Sequence, residues 1–132
     1  MAAAGPVRDT DAMIAGMDPA LVPGDVAFAS FPSADPGALA EARALVREAE
    51  GVTLVLPFGH PALPEGALAM RQITLRVASA LDGVGLTAAV ATALAERDIP
   101  CNVIAGFHHD HLFVPADRAE EALEVLRRRA AR

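Results

Sequence analysis

QITLRVASALDGVGLTAAVATALAERDIPCNVIAGFHHDHLFVP, residues 72–115, is the stretch whose reading decides the fold. Over residues 72–79, Ile73, Leu75 and Val77 alternate with Thr74 and Arg76, the period-two pattern of a strand with one buried face. Glycines at 83 and 85 then turn the chain into a helical repeat whose apolar face is Leu86, Val90, Ala93 and Leu94. Residues 99–107 read as a second strand and 111–115 as a third. Beyond them, ADRAEEALEVLRRRAAR (116–132) reads as a closing helix with Ala119, Ala122, Leu123 and Leu126 on its buried stripe. Asp117 and Glu120 have the spacing of a capping pair, and Arg127, Arg128 and Arg129 sit where the helix dipole favours cations. The order β-α-β-β-α is one strand short of the βαββαβ ferredoxin-like arrangement. The expected class is therefore α+β: an antiparallel sheet with helices on one face, the missing strand coming from the rest of the chain or from a partner.

The preceding residues fit that need less regularly. Residues 1–9 read as a disordered lead-in. Residues 10–21 read as a short helix capped by Thr10 or Asp11 and ended by Pro19, and residues 25–31 as a strand bounded by Pro23-Gly24 and Pro32. ALAEARALVREAEG (38–51) places Leu39, Ala42, Leu45 and Val46 at helical spacing, with Gly51 as the stop. VTLVLP (52–57) is a buried strand, followed by a Pro- and Gly-rich linker. The expected organisation is the lead-in, an N-terminal α-β-α-β half over 10–69, and a C-terminal domain over 70–132. The N-terminal half either donates the missing strand or builds a second incomplete unit. No repeat between the halves is visible by eye.

Composition narrows the function classes. A chain of 132 residues should form one compact domain or two small halves with a common core. Apolar residues make up 53% but aromatics only 4%, so the core must be aliphatic. A net charge of −6 argues against a nucleic-acid binder, which needs a basic face to neutralise phosphates. The charge is uneven: residues 1–69 hold three Arg against nine Asp or Glu, whereas residues 70–132 hold eight of each. The single Cys101 excludes an internal disulfide and fits a reducing cytosol. No secretory signal is visible, and no run of about 18 apolar residues could span a membrane. A cytoplasmic protein is expected.

The segment ALDGVGLTAAVATALAERDIPCNVIAG (80–106) resembles the ACT-domain superfamily, the small βαββαβ regulatory modules that bind amino acids. It is most similar to the ACT units of aspartokinases, where a Gly-containing loop opens the first helix and a short turn leads to an Asn-bearing second strand. Residues 71–126 as a whole resemble small stand-alone bacterial ACT-like proteins of unassigned activity, and the first half resembles their less regular N-terminal part. One departure is Ala78, where those relatives carry polar residues after the strand's Val. The resemblance implies a regulatory rather than catalytic role, no cofactor, an amino-acid ligand and pairing of ACT units side by side.

The loop has a physical reading of its own. Gly83 and Gly85 permit backbone conformations that a Cβ forbids, and they permit close approach of a ligand. N–H groups at the start of the next helix, around Val84, Gly85, Leu86 and Thr87, suit a carboxylate, and Asp82 suits an ammonium. Equally, two glycines serve a tight strand-to-helix turn with no ligand. Asn102 would lie on the second strand, where the ACT pattern often places a residue near a ligand held between paired units; otherwise it satisfies a turn.

FHHDHLF (107–113) concentrates His108, His109, Asp110 and His111. In a βαβ unit the hairpin between the second and third strands should sit at the same end as the 82–87 loop. As a metal site the cluster lacks ligands: His60 is in a distant linker and no second Cys exists. As a catalytic centre it lacks a nucleophile, since Ser79 and Thr87 carry no signature and Cys101 opens a strand. The favoured reading is a polar hairpin tip that edges a ligand site or a subunit interface. The expected function is a non-enzymatic module that binds a small metabolite, an amino acid, and forms a homodimer to cover open sheet edges. Its alternatives are a structural or partner-binding domain with a vestigial loop, and a small His-dependent metal-binding protein.

Overall fold

The computed structural model describes residues 5–132. Six strands form one sheet: β1 (Pro19–Phe31), β2 (Ala44–Glu48), β3 (Gly51–Pro57), β4 (Met70–Leu75), β5 (Asn102–Ala105) and β6 (Asp110–Pro115). Four helices accompany them: α1 (Thr10–Ala15), α2 (Pro36–Glu41), α3 (Leu86–Ala95) and α4 (Ala119–Ala131). The strand order is β2-β3-β1-β4-β6-β5, and every neighbouring pair is antiparallel.

That order reveals the repeat the sequence hides. Outward from the centre, the sheet runs β1-β3-β2 in one direction and β4-β6-β5 in the other. In each half the first strand is central, the third lies beside it and the second forms the edge. Each half has only three strands, and each borrows the other's first strand as its fourth. The missing strand of the C-terminal βαββα unit is thus β1, supplied by the chain itself.

Helices cover one face, as the period-two patterns require. Ile73 and Leu75 of β4 and Leu112 and Val114 of β6 join Leu86, Val90 and Leu94 of α3, Met13 and Ile14 of α1, and Ala119, Ala122, Leu123 and Leu126 of α4 in the largest buried cluster. Under α2, Ala38 meets Val52, Leu54 and Leu56 of β3. The opposite face carries Val26, Val55, Met70 and Phe113. Phe28 and Phe113 meet there edge to face at 5.1 Å.

Several local expectations change. The helix expected over 38–51 stops at Glu41, and residues 44–48 form strand β2, with Leu45 opposite Leu54 and Val46 opposite Thr53. The buried β3 offers a hydrogen-bonding edge, and ladder formation outweighs the helical propensity of an Ala- and Glu-rich segment. Leu39, expected on a buried stripe, is 45% exposed. α1 ends at Ala15, one turn earlier than Pro19 suggests, and its cap is Asp9, whose carboxylate accepts from the Ala12 N–H at 2.9 Å. The chain is already held before that cap: Val7 bridges to Ser79, its N–H donating to Ala78 O at 2.7 Å. The rest of the lead-in, residues 1–4, lies outside the described residues. At α4 the Asp117–Glu120 capping pair does not form. A 3-10 turn over Ala116–Arg118 precedes the helix, and Arg118 pairs with Glu121 and donates to Arg97 O, tying α4 to the end of α3.

β1 is bent where it crosses between the halves. Its register against β4 shifts between Leu21 and Asp25, at Pro23-Gly24, and Gly24 takes φ +85°. A proline cannot donate to a ladder, so a central strand accepts one only at such a bulge. The carbonyls that the bulge leaves over are taken by arginines: Arg71 donates to Val22 O at 2.6 Å and Arg43 to Pro23 O at 2.8 Å.

Alanine substitution distinguishes the two readings of residues 38–51. Leu54→Ala should cost about 2–5 kcal/mol in urea denaturation, whereas Leu39→Ala should stay within about 1 kcal/mol. A large loss at Leu39 would restore the longer buried helix.

Candidate functional site

The β5–β6 hairpin lies beside the 82–87 loop, as the strand order of a βαβ unit requires. Asp110 pairs with Leu75 at the end of β4, so the hairpin tip meets the chain that leaves β4 for α3. Between them lies a cleft of about 160 Å³, lined by Ser79, Gly83, Gly85, Leu86, Thr87 and Asp110 together with Met13 and neighbouring small residues. The first turn of α3 stands on one side without a side-chain cap, since its N-cap is Gly85. The Asp110 carboxylate stands on the other, 3.4 Å from the Ser79 hydroxyl.

The glycines serve contacts that the sequence does not announce. Gly85 takes φ +107°, and a Cβ there would come within 2.5 Å of Thr10 Cγ2. Thr10 Oγ1 donates to Val84 O at 2.5 Å, so the start of α1 is stitched onto the loop. A Cβ on Gly83 would press on Met13 Sδ at 3.1 Å. Asp82, a candidate for an ammonium, instead pairs with Arg8 on the surface. Val84 is 76% exposed and points away from the buried core, while Leu86 is buried in it.

The other expected residues scatter. Asn102 lies at the far end of β5, opposite Phe113, and lines a separate hollow with Phe28, Leu68 and Met70. His108 is exposed at the hairpin tip, edge-on to Phe107 at 5.2 Å. His109 Nδ1 lies 3.2 Å from Val77 O, to which it donates. Asp110 and His111 are adjacent on a strand and so face opposite sides of the sheet. Asp110 lines the α3 cleft, whereas His111 Nδ1 sits 2.9 Å from Thr74 Oγ1 on the helix-free face. Among the described residues, no three His, Cys, Asp or Glu side chains come close enough to share a metal ion. His60 meets Glu41 at 2.9 Å instead. Burial pushes the Cys101 thiol up to about 11, so at neutral pH it is protonated and a poor nucleophile.

The ACT-domain family matches residues 68–128 and, in a second region, residues 6–60. A crystal structure of a Vibrio cholerae protein of unknown function, described as a possible transport protein, is 42% identical; the alignment covers 88% of this chain and 92% of that one, with a TM-score of 0.78. The chain belongs to the ACT-domain family. As an ACT protein it carries a fold of regulatory, ligand-binding modules, with one match on each half of the sheet. The ligand-free regulatory subunit of aspartate kinase from Thermus thermophilus shares the fold at 14% identity, covering 84% of this chain and 95% of that one, with a TM-score of 0.60. An Agrobacterium tumefaciens protein does so at 20% identity, covering 81% and 84%, with a TM-score of 0.61. No curated protein matches the sequence. Among the described residues, no helix of this ACT protein is long and apolar enough to cross a membrane.

What sequence reasoning missed is the part of α1. Thr10 and Met13 shape the loop and the cleft from 70 or so residues away, brought there by the parallel bridge Val7–Ser79 and by the packing of Met13, Ile14 and Met17 into the core. The one legible signal was the capping aspartate at residue 9, which marks where that helix starts.

Two measurements check this geometry. Gly85→Ala should destabilise the protein by about 2–4 kcal/mol through backbone strain and the clash with Thr10. Adding Thr10→Ser, which removes Cγ2 but keeps the hydroxyl, should recover part of that loss; no recovery would place the strain elsewhere. His111 is held below the ordinary imidazole value of 6.5, first by burial and then by the neighbouring His109, against the opposing pull of Asp110. The unfolded chain therefore binds more protons in that range, and the contribution of neutral His111 is complete above the unfolded value and lost as pH falls through the folded one. Urea stability should fall as pH drops through and below the ordinary value of 6.5, and His111→Gln should flatten part of that fall. An NMR titration placing His111 at or above the ordinary value would contradict it.

Proposed function

We propose that this ACT protein is a non-enzymatic regulatory module whose α3 cleft takes a small amino acid. The observation that carries the reading is the pairing, across about 160 Å³, of uncapped N–H groups at the start of α3 with the Asp110 carboxylate. A zwitterion has the complementary layout: its carboxylate meets helix N–H groups and their partial positive charge, and its ammonium meets Asp110. In this arrangement Gly83, Gly85, Leu86 and Thr87 supply the wall, and Asp110 replaces Asp82 as the cation partner. The volume lies below that of ordinary small-molecule pockets, which favours glycine, alanine, serine or threonine over larger side chains.

The same reading includes a cytoplasmic homodimer of chains whose halves divide at residues 69 and 70. Strands β2 and β5 keep free edges, which natural proteins tend to cover. Leu81, Val84 and Phe107, each at least 68% exposed, are interleaved with cleft-lining residues and would meet a second copy around its mouth. His108 and His109 would then lie at that interface.

A second reading has its own support: a structural or partner-binding domain in which the loop is vestigial. Thr10 and Met13 already account for both glycines, and Arg8 already pairs with Asp82. The two readings separate in a thermal-shift screen against the four small amino acids. Ligand at about 100 times its Kd should stabilise the fold by about 2.7 kcal/mol, and Asp110→Asn should abolish that gain while preserving the fold. No shift with any of the four at about 10 mM, well above a millimolar Kd, would favour the vestigial loop.

A further inference from the structure

The helix-free face of the sheet is not flat. Ala44 on edge strand β2 and Ile104 on edge strand β5 stand at opposite ends of the strand order, yet both pack against the same buried cluster. Both also line one hollow of about 380 Å³, with Val22, Arg43, Gln72 and Phe113 among its walls. The sheet curls toward this side, and the bulge at Pro23-Gly24 lies at the bend.

A directed chain of hydrogen bonds runs across the hollow. Arg43 Nη1 donates to Gln72 Oε1 at 3.2 Å, and because arginine can only donate, this fixes the orientation of the amide. The Gln72 NH₂ then donates to Thr74 Oγ1 at 3.0 Å and to His111 Nδ1 at 3.2 Å. The Thr74 hydroxyl, 2.9 Å away, also turns its proton toward Nδ1. His111 therefore accepts at Nδ1, and its neutral ring carries the proton on Nε2. A Cβ on Gly106 would lie 3.0 Å from that Nε2 and equally close to the His109 carbonyl, so glycine both permits the hairpin turn and keeps the ring's donor edge open to the hollow.

Arg43 uses two of its five N–H groups, on Gln72 and Pro23. Among the described residues no carboxylate pairs with it, and no Asp or Glu lines the hollow. A cation and an imidazole N–H thus stand at the rim of an otherwise apolar cavity. We propose that this hollow is a second ligand site, distinct from the α3 cleft, and that it binds a small aliphatic monocarboxylate. The carboxylate bridges the free Arg43 N–H groups and His111 Nε2–H, a planar acceptor matched to the planar guanidinium. The hydrocarbon body lies against Val22, Ala44, Ile104 and Phe113. An amino acid is disfavoured because its ammonium finds no counter-charge, and inorganic phosphate because it has no apolar body. The volume falls in the ordinary range for a small-molecule pocket.

The test is an amide NMR titration of the full chain with isocaproate, its amino analogue leucine, its neutral analogue isohexanol, and inorganic phosphate. Isocaproate should give saturable shifts at Ala44, Gln72, Ile104 and His111. The other three should bind there at least about tenfold more weakly, the equivalent of about 1.4 kcal/mol. Arg43→Met should weaken isocaproate binding by about tenfold or more. Because Arg43 also braces the β1 bulge, Gly106→Ala serves as the second variant: it crowds the imidazole edge, leaves Arg43 in place and should weaken binding too. Asp110→Asn, whose side chain lines the α3 cleft and not the hollow, should weaken isocaproate binding far less than Arg43→Met does, so this site stands or falls separately from that one. The proposal is overturned if isocaproate gives no saturable shift, if its shifts map to the 82–87 loop, or if either folded pocket variant binds it as wild type does.

Discussion

The antiparallel pairing of β1 with β4 is the contact on which the remaining structure depends. Each strand is the first of its own half and the fourth of the other. Without that pair neither half has the four strands of a ferredoxin-like sheet, and the helix-side core that rests on Ile73 and Leu75 loses the wall built by Leu21. The pair carries a cost at Pro23, which cannot join the ladder, and the cost is met locally. The strand bulges, and Arg43 and Arg71 take the carbonyls that the bulge leaves unpaired. The bend also lies beside the concave hollow on the helix-free face. One irregularity thus joins the halves and shapes a cavity.

The Gly-rich loop shows how one motif can answer to two physical demands. Free N–H groups at the start of α3 and a cleft beside them are both present. The glycines, however, are required by the neighbouring side chains of Thr10 and Met13, whatever else they permit. A tight backbone approach in a folded protein is most often an approach to the protein's own atoms, given interiors packed as densely as crystals. The histidine cluster carries a related lesson. Three histidines and an aspartate crowd four positions in sequence, but strand alternation sends Asp110 to one face and His111 to the other. Proximity along the chain becomes separation by a sheet.

Legibility followed how local the deciding physics was. Residues 72–126 were readable because their periods are unambiguous: Ile73 and Leu75 alternate, while Leu86, Val90, Ala93 and Leu94 recur at helical spacing, and all of them are buried. Residues 38–51 were not, because Ala, Glu and Arg favour helices in isolation and the spacing of Leu39, Ala42, Leu45 and Val46 imitates an amphipathic stripe. What turned 44–48 into a strand was the open edge of β3, which the segment itself does not encode. The same holds for Arg118, whose role at the α3–α4 junction depends on carbonyls about twenty residues earlier.

By itself the sequence determined the class of fold, the helix-side core of the C-terminal half, the placing of the hairpin beside the glycine loop, and the family. These follow from short-range periodicity and from the handed geometry of a βαβ unit. Only the tertiary structure decided that the two halves share their central strands, that α1 seats on the glycine loop, and that Arg43, Gln72, Thr74 and His111 form one directed network. Those contacts join residues roughly 30 to 75 positions apart. Their formation depends on which edges and faces are left open once the local elements have formed, a property of the assembled sheet and of no single stretch within it.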